Sequence, residues 1–189
     1  MKDIKEFLRS TQSKARYQHS LSVAEQAAEW APLVGVDAGR ARLAGLLHDC
    51  AREMPGEDLR RLMALWPEGP DLSAHPAVWH APAGAVLARS KWGVDDQIAR
   101  AVAMHSPAQP GWDALGALIY LVDKIAPGRD YPGVERLREA FVADPNAGLL
   151  AVIADERRAA IAAGKDYHPA GEQARAAYAA QSPWPDTKQ

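Results

Sequence analysis

Residues 113–125 read DALGALIYLVDKI. Leu115, Leu118, Ile119, Leu121 and Val122 crowd this stretch, Asp113 is a natural N-cap, and Pro127 and Gly128 stop it. There is no clean period-two alternation, so the segment reads as a helix, and as the most apolar one it is expected at the centre of the fold. One residue breaks its character. Asp123 follows Leu121-Val122 directly, and a carboxylate there is costly unless a cation or several donors meet it. Lys124, next in sequence, is one available partner.

The same punctuation divides the rest of the chain. A short helix fits Asp3 to Leu8, and a second runs from the Ser10–Ser13 cap region to about Val34, with Gly35 as left-handed terminator. Asp37 caps a third that carries Leu43, Leu46, Leu47 and the pair His48-Asp49 and stops before Pro55. Further helices fit Glu57–Trp66, Val78–Trp92, Asp95 or Asp96 to Met104 or His105, Val134–Val142, Pro145–Ala163 and Pro169–Ala180. Alanine, the best helix former, makes up about a fifth of the chain. The expectation is an all-α fold: one helical bundle over residues 1–182, with 183–189 as a disordered tail.

Composition narrows the function. The 189 residues suffice for one core, and a net charge of −2 gives no general field for nucleic acid or an anionic membrane. The single cysteine, Cys50, excludes an internal disulfide framework and a thiolate metal cluster. The first residues, MKDIKEFLRS, lack the apolar region of a signal peptide, and no apolar run is long enough to span a bilayer, so a soluble cytoplasmic protein is expected.

Six histidines are present: His19, His48, His75, His80, His105 and His168. A lone histidine is more often structural than a ligand. Here His48-Asp49 is a polar pair behind Leu46-Leu47, and an imidazole and a carboxylate about 100° apart on a helix can converge on one ion. On its own the dipeptide fits a His–Asp hydrogen bond at a helix end equally well. His19, His80, His105 and Asp123 fall on other helices, each near the limits of an apolar face. His75, in a Pro-rich loop, reads as structural or exposed, and His168 as a cap of the last helix. Cys50 reads as packing. The six tryptophans read mostly as core, with Trp112 a candidate for lining a base pocket.

The ordered set His19, His48-Asp49, Asp123 resembles the HD superfamily of metal-dependent phosphohydrolases. The stretches ARYQHSLSVAEQAAEWA, ARLAGLLHDCAR, WHAPAGAVLARSKWGVDDQIARAVAMHS and ALIYLVDKIAPGRDYPGVERLRE are similar, in order and spacing, to its YqeK-type branch. Members of that branch are symmetrical bis(5'-nucleosyl)-tetraphosphatases. The resemblance covers roughly residues 10 to 170. It implies a dinuclear site, most often of iron, with manganese or another first-row metal as alternatives. His19, His48, Asp49 and Asp123 would hold one ion, His80 and His105 the second, with Asp49 bridging. Six N/O donors without sulfur suit such metals.

The implied reaction is symmetrical cleavage of diadenosine tetraphosphate to two ADP by metal-activated water, with Asp49 and Lys124 catalytic. Arg16, Arg52, Lys124 and Arg129 would bind the polyphosphate. Arg16 and Arg52 lie one turn from His19 and Asp49, and Lys124 and Arg129 follow Asp123. The chain departs from the family pattern at Ser106–Gly111, at Ala126 and at Arg52, where a threonine-rich segment, a glutamate and a lysine are usual. The alternatives are another HD phosphohydrolase acting on a different nucleotide, a diiron oxygenase, and a non-catalytic nucleotide-binding regulator. The partner expected is a nucleotide, with no stable nucleic-acid complex and no membrane; a homodimer is compatible with the sequence.

Overall fold

The computed structural model describes residues 1–185. Its helices are α1 (Lys2–Thr11), α2 (Lys14–Trp30), α3 (Ala38–Leu47), α4 (Gly56–Met63), α5 (His80–Trp92), α6 (Asp96–Ala103), α7 (Ala114–Ile125), α8 (Val134–Ala143), α9 (Pro145–Ala162) and α10 (Pro169–Ala180). Two 3₁₀ turns, Ala31–Val34 and Pro76–Val78, precede α3 and α5, and no strand occurs among the described residues. The all-α expectation holds.

Local chemistry accounts for most boundaries. The side chains of Asp37, Asp95 and Asp113 accept from the backbone N–H groups of Arg40, Ile98 and Gly116, capping α3, α6 and α7. Pro32 turns the end of the second expected helix into a 3₁₀ segment, and Gly35 closes it at φ 66°. His168 caps α10, its Nδ1 accepting from the Ala170 N–H at 3.1 Å.

As its sequence suggests, α7 is the hub. Ten of its twelve residues are buried, and it touches α2, α3, α6, α8 and α9. The longest packed seam joins α2 to α3, and α8–α9 forms a second layer beside α7. Arg138 on α8 ties that layer down, donating to the carbonyls of Ile125, Ala126 and Arg129 at 2.8, 3.0 and 3.0 Å. One core runs from Ile4 to Tyr178. In the expected tail, Trp184 packs its ring edge-on to Phe141 at 6.3 Å, and residues 186–189 lie outside the described residues.

Among the helices that end earlier than the sequence suggests, the third bears on the site. α3 stops at Leu47, and His48 to Glu53 follow as successive tight turns, with Cys50, Arg52 and Met54 N–H groups bonding to carbonyls three residues back. The Asp49 carbonyl takes a second donor from afar: the buried Gln12 side chain, at 3.0 Å. The His48-Asp49 pair therefore sits where α3 ends, and the turns swing Asp49 away from the helix axis.

The α2–α3 seam is close at Gly45, where an added Cβ would stand 2.9 Å from Ala24 Cα. Gly45→Ala should force the two helices apart at a cost of about 1–3 kcal/mol, in the range of core overpacking. Thermal or urea unfolding of the variant beside the parent measures it.

Candidate metal and phosphate site

The hub, the α3 turn and the ends of α5 and α6 meet α2 in one polar cluster. His19 comes from α2, His48 and Asp49 from the end of α3, His80 from the first residue of α5, His105 from just beyond α6, and Asp123 from α7. All six residues expected to bind metal converge. His19 Nε2 lies 2.9 Å from Asp123 Oδ1, and His48 Nε2 lies 3.4 Å from Asp49 Oδ2 and 3.6 Å from Asp123 Oδ1. His80 and His105 face the other oxygen of Asp49, at 3.3 and 3.7 Å from Oδ1, and are 3.2 Å apart at their Nε2 atoms. The cluster is buried except for part of His19.

Backbone carbonyls aim the rings. His48 Nδ1 donates to Gly45 O and His105 Nδ1 to Val102 O, both at 2.7 Å. A carbonyl only accepts, so each Nδ1 carries the hydrogen and each Nε2 turns into the cluster. His80 Nδ1 lies 3.1 Å from Ala77 O, and Arg52 Nη1 rests 2.8 Å from both of its ring nitrogens.

Electrostatics bind the group together. Burial alone raises the pKa of Asp49 and Asp123, but facing positive charge outweighs it: His48 for Asp49, and Lys124 with His19 and His48 for Asp123. Both carboxyls are held well below the usual range. Burial alone would lower His48, yet the two carboxylates raise it to about 10. Burial holds His19, His80 and His105 below their ordinary value.

The cluster fits a divalent ion. His48 Nε2 is buried and makes no hydrogen bond, although it points between two carboxylates. Three overlapping sets, His19–His48–Asp49, His48–His105–Asp123 and Asp49–His80–His105, each bring their donor atoms within 4.8 Å of one another. Imidazole nitrogen and carboxylate oxygen suit first-row metals.

Four cationic side chains ring the cluster where the sequence expects phosphate contacts. Arg16 Nη1 donates to Asp49 Oδ2 at 2.6 Å, and Lys124 Nζ to Asp123 Oδ2 at 2.9 Å. Arg129 donates from Nη2 to Asp123 Oδ1 at 2.7 Å and from Nε to the Asp123 carbonyl at 2.8 Å. With Arg52 they line a cavity of about 890 Å³ that opens over Asp49, His80, His105 and Asp123.

The HD domain family matches residues 16–128, the stretch that holds all six residues of the cluster. The chain belongs to the HD-domain family. It is 36% identical over 137 residues to a symmetrical bis(5'-nucleosyl)-tetraphosphatase of Bacillus subtilis, covering 71% of this chain and 74% of that one. It is 33% identical to the enzyme of the same description from Halalkalibacterium halodurans, again over 137 residues (71% and 73% of the two chains). A crystal structure described as that of an HD superfamily hydrolase involved in NAD metabolism, from Clostridium acetobutylicum, superposes with a TM-score of 0.88 at 31% identity. That superposition covers 95% of this chain and 97% of the other.

Three groups escaped the sequence reading. Gln12 pins the Asp49 carbonyl, and Ser13 donates to Glu53 from both N–H and hydroxyl, so the α1–α2 junction clamps the turns that carry Asp49. Glu156 on α9 accepts from the Tyr120 hydroxyl at 2.8 Å and stands 3.7 Å from Lys124. Tyr131 donates to the Lys124 carbonyl at 3.2 Å. The sequence marked a helix over Pro145–Ala163 but could not say what its faces meet. Trp112 is corrected: it is buried, stacks on Tyr178 at 5.3 Å and donates to Met104 O at 2.9 Å, so it is core and lines no base pocket. His75 and His168 meet edge-to-face at 4.7 Å. Cys50 is buried, donates to Gly84 O, and has its pKa pushed up by burial, which suits packing. No described helix is long and apolar enough to cross a membrane.

Asp49→Asn keeps the side chain's shape and removes its charge. The expected result is loss of bound divalent metal per chain, by elemental analysis after dialysis against Mn²⁺, with the helical circular dichroism spectrum retained.

Proposed function

We propose that this protein hydrolyses diadenosine tetraphosphate symmetrically to two ADP in the cytoplasm, with residues 1–182 acting as one HD domain and two divalent ions, iron by family, in its cluster. The observation that carries the reading is the division of labour at Asp49. Its Oδ2 faces His48 while its Oδ1 faces His80 and His105, the arrangement expected of a carboxylate shared by two ions. His19, His48, Asp49 and Asp123 would hold one ion, and His80, His105 and Asp49 the other. Such ions, when bound, supply Lewis acidity, lowering the pKa of water and stabilising charge on phosphoryl oxygens. The described relatives from Bacillus and Halalkalibacterium support the substrate.

The chain's own groups do the rest. In the reaction a water oxygen joins one of the two central phosphorus atoms, and the P–O bond linking it to the other breaks. Lys124 stays an ammonium. Burial lowers its pKa, but Asp123 and Glu156 raise it further, with a net rise. It therefore acts as a charged donor to phosphoryl oxygens and not as a base. Arg16, Arg52 and Arg129 surround the same cavity and would spread counter-charge along a polyphosphate. The carbonyls of Ile125, Ala126 and Arg129 are held by Arg138, which fixes the loop from which the Arg129 side chain reaches Asp123.

Chromatography of products from the metal-loaded protein should show ADP as the sole nucleotide formed from diadenosine tetraphosphate; AMP with ATP would overturn the symmetrical reading, and chelation should abolish turnover. Lys124→Ala and Arg129→Ala should each lower kcat/KM on the tetraphosphate by up to about 150-fold, the loss of a charge-assisted hydrogen bond of about 3 kcal/mol. Both should keep their metal. A parallel fall in melting temperature and in turnover of a small phosphodiester would assign Arg129 to structure instead.

A further inference from the structure

Gln12 closes α1, its N–H bonding to the Leu8 carbonyl at 2.9 Å, and its side chain turns inward, leaving the residue 9% exposed. A buried amide needs partners. Its Nε2 donates to the Asp49 carbonyl at 3.0 Å, and its Oε1 stands 3.5 Å from the Oγ of Ser20, a fully buried residue next to His19. One side chain from the N-terminal helix thus joins the backbone of Asp49 to the turn of α2 that carries His19.

The Asp49 carbonyl has two lone pairs and takes two donors. The Arg52 N–H bonds to it from within the turn at 2.9 Å, and Gln12 from outside. Two donors from different elements fix the peptide plane after Asp49, and with it the Cα that carries the carboxylate. The two carboxylate oxygens then differ in their support. Oδ2 accepts from Arg16 at 2.6 Å. Oδ1 faces His80 and His105 at 3.3 and 3.7 Å, beyond strong hydrogen-bond range, so its place depends on the backbone behind it. Among the described residues, the donor set that contains His80 has Asp49 as its one carboxylate. The His19 and His48 side has Asp123 as well.

We propose that Gln12 is a positioning residue of the metal centre: by fixing the Asp49 backbone, its amide aims Asp49 Oδ1 at His80 and His105 and enables that half of the cluster to hold an ion. The inference rests on the two-ion reading of the cluster. It gives α1 a part in the chemistry although the cavity lining begins only at Arg16. α1 is anchored independently, by Ile4 and Leu8 in the core and by Phe7 edge-on to Trp92 at 5.2 Å, so the amide can be removed without releasing the helix.

Calorimetry of Mn²⁺ binding to metal-free protein tests this. Wild type should bind two ions per chain, and His80→Ala identifies which binding event belongs to the His80 half. Gln12→Met and Gln12→Leu remove the amide and keep an apolar side chain of similar size. Each should weaken that same event by about 10–100-fold, the usual cost of losing a group that orients a ligand, and leave the other within threefold. Ile4→Ala loosens α1 about two turns away and should leave both within threefold. Unchanged affinities in both Gln12 variants, or an equal loss of both ions, overturns the inference and leaves the two-ion reading intact. So does the same selective loss in Ile4→Ala, or loss of the helical circular dichroism spectrum in both Gln12 variants, since either assigns Gln12 to stability. If wild type binds one ion or none, the two-ion reading falls and takes this inference with it.

Discussion

Two carboxylates buried at the middle of a helical core set the terms for everything around them. Asp49 is 3% exposed and Asp123 6%. Left uncompensated, either would cost several kcal/mol. The fold answers by bringing four histidines, two arginines and a lysine to them from distant parts of the chain. The apolar hub explains why the compensation must be this complete. Asp123 has Leu121 and Val122 on one side and Ile125 close by, all fully buried, so charge can reach it only from the cavity side.

A second layer holds this polar centre in shape. His48 and His105 are aimed by carbonyls one turn back on their own elements, so each ring's direction is written into local backbone. The turns that carry Asp49 make their own backbone hydrogen bonds and take further donors besides. They are held from outside, by Gln12 on the Asp49 carbonyl, by Ser13 on Glu53 and by Arg16 on the carboxylate itself. The loop after α7 is secured the same way, by Arg138 from α8. The division is physical: helical segments orient their own side chains, and the irregular segments borrow donors from their neighbours.

What could be read in the sequence followed from local signals. Asp37, Asp95 and Asp113 announced helix starts, Gly35 an end, and the run at 115–122 a buried hub. The six converging residues were legible because each interrupts an apolar face, and the family resemblance supplied their grouping. Features that depend on partners far away were not. Nothing near Leu47 says that the helix stops there; the turns that follow take a hydrogen bond at the Asp49 carbonyl from Gln12, 37 residues before Asp49. Trp112 lies near His105 in sequence but turns to Tyr178, a residue 66 positions on. The α9 residue that reaches Lys124, Glu156, reads only as part of a helix until the fold sets that helix beside the cavity.

His19 and Asp123 touch at 2.9 Å across 104 positions of sequence. No short fragment of the chain can therefore assemble the cluster, and its formation is an event of the whole fold. Closing so long a span costs loop-closure entropy. The same span makes ion binding and folding one equilibrium: an ion held only by the assembled cluster adds about 2.7 kcal/mol to the native state when present at a hundredfold excess over its dissociation constant. Supply of metal would then govern how long each copy of the protein survives unfolding and proteolysis, as well as how fast it works.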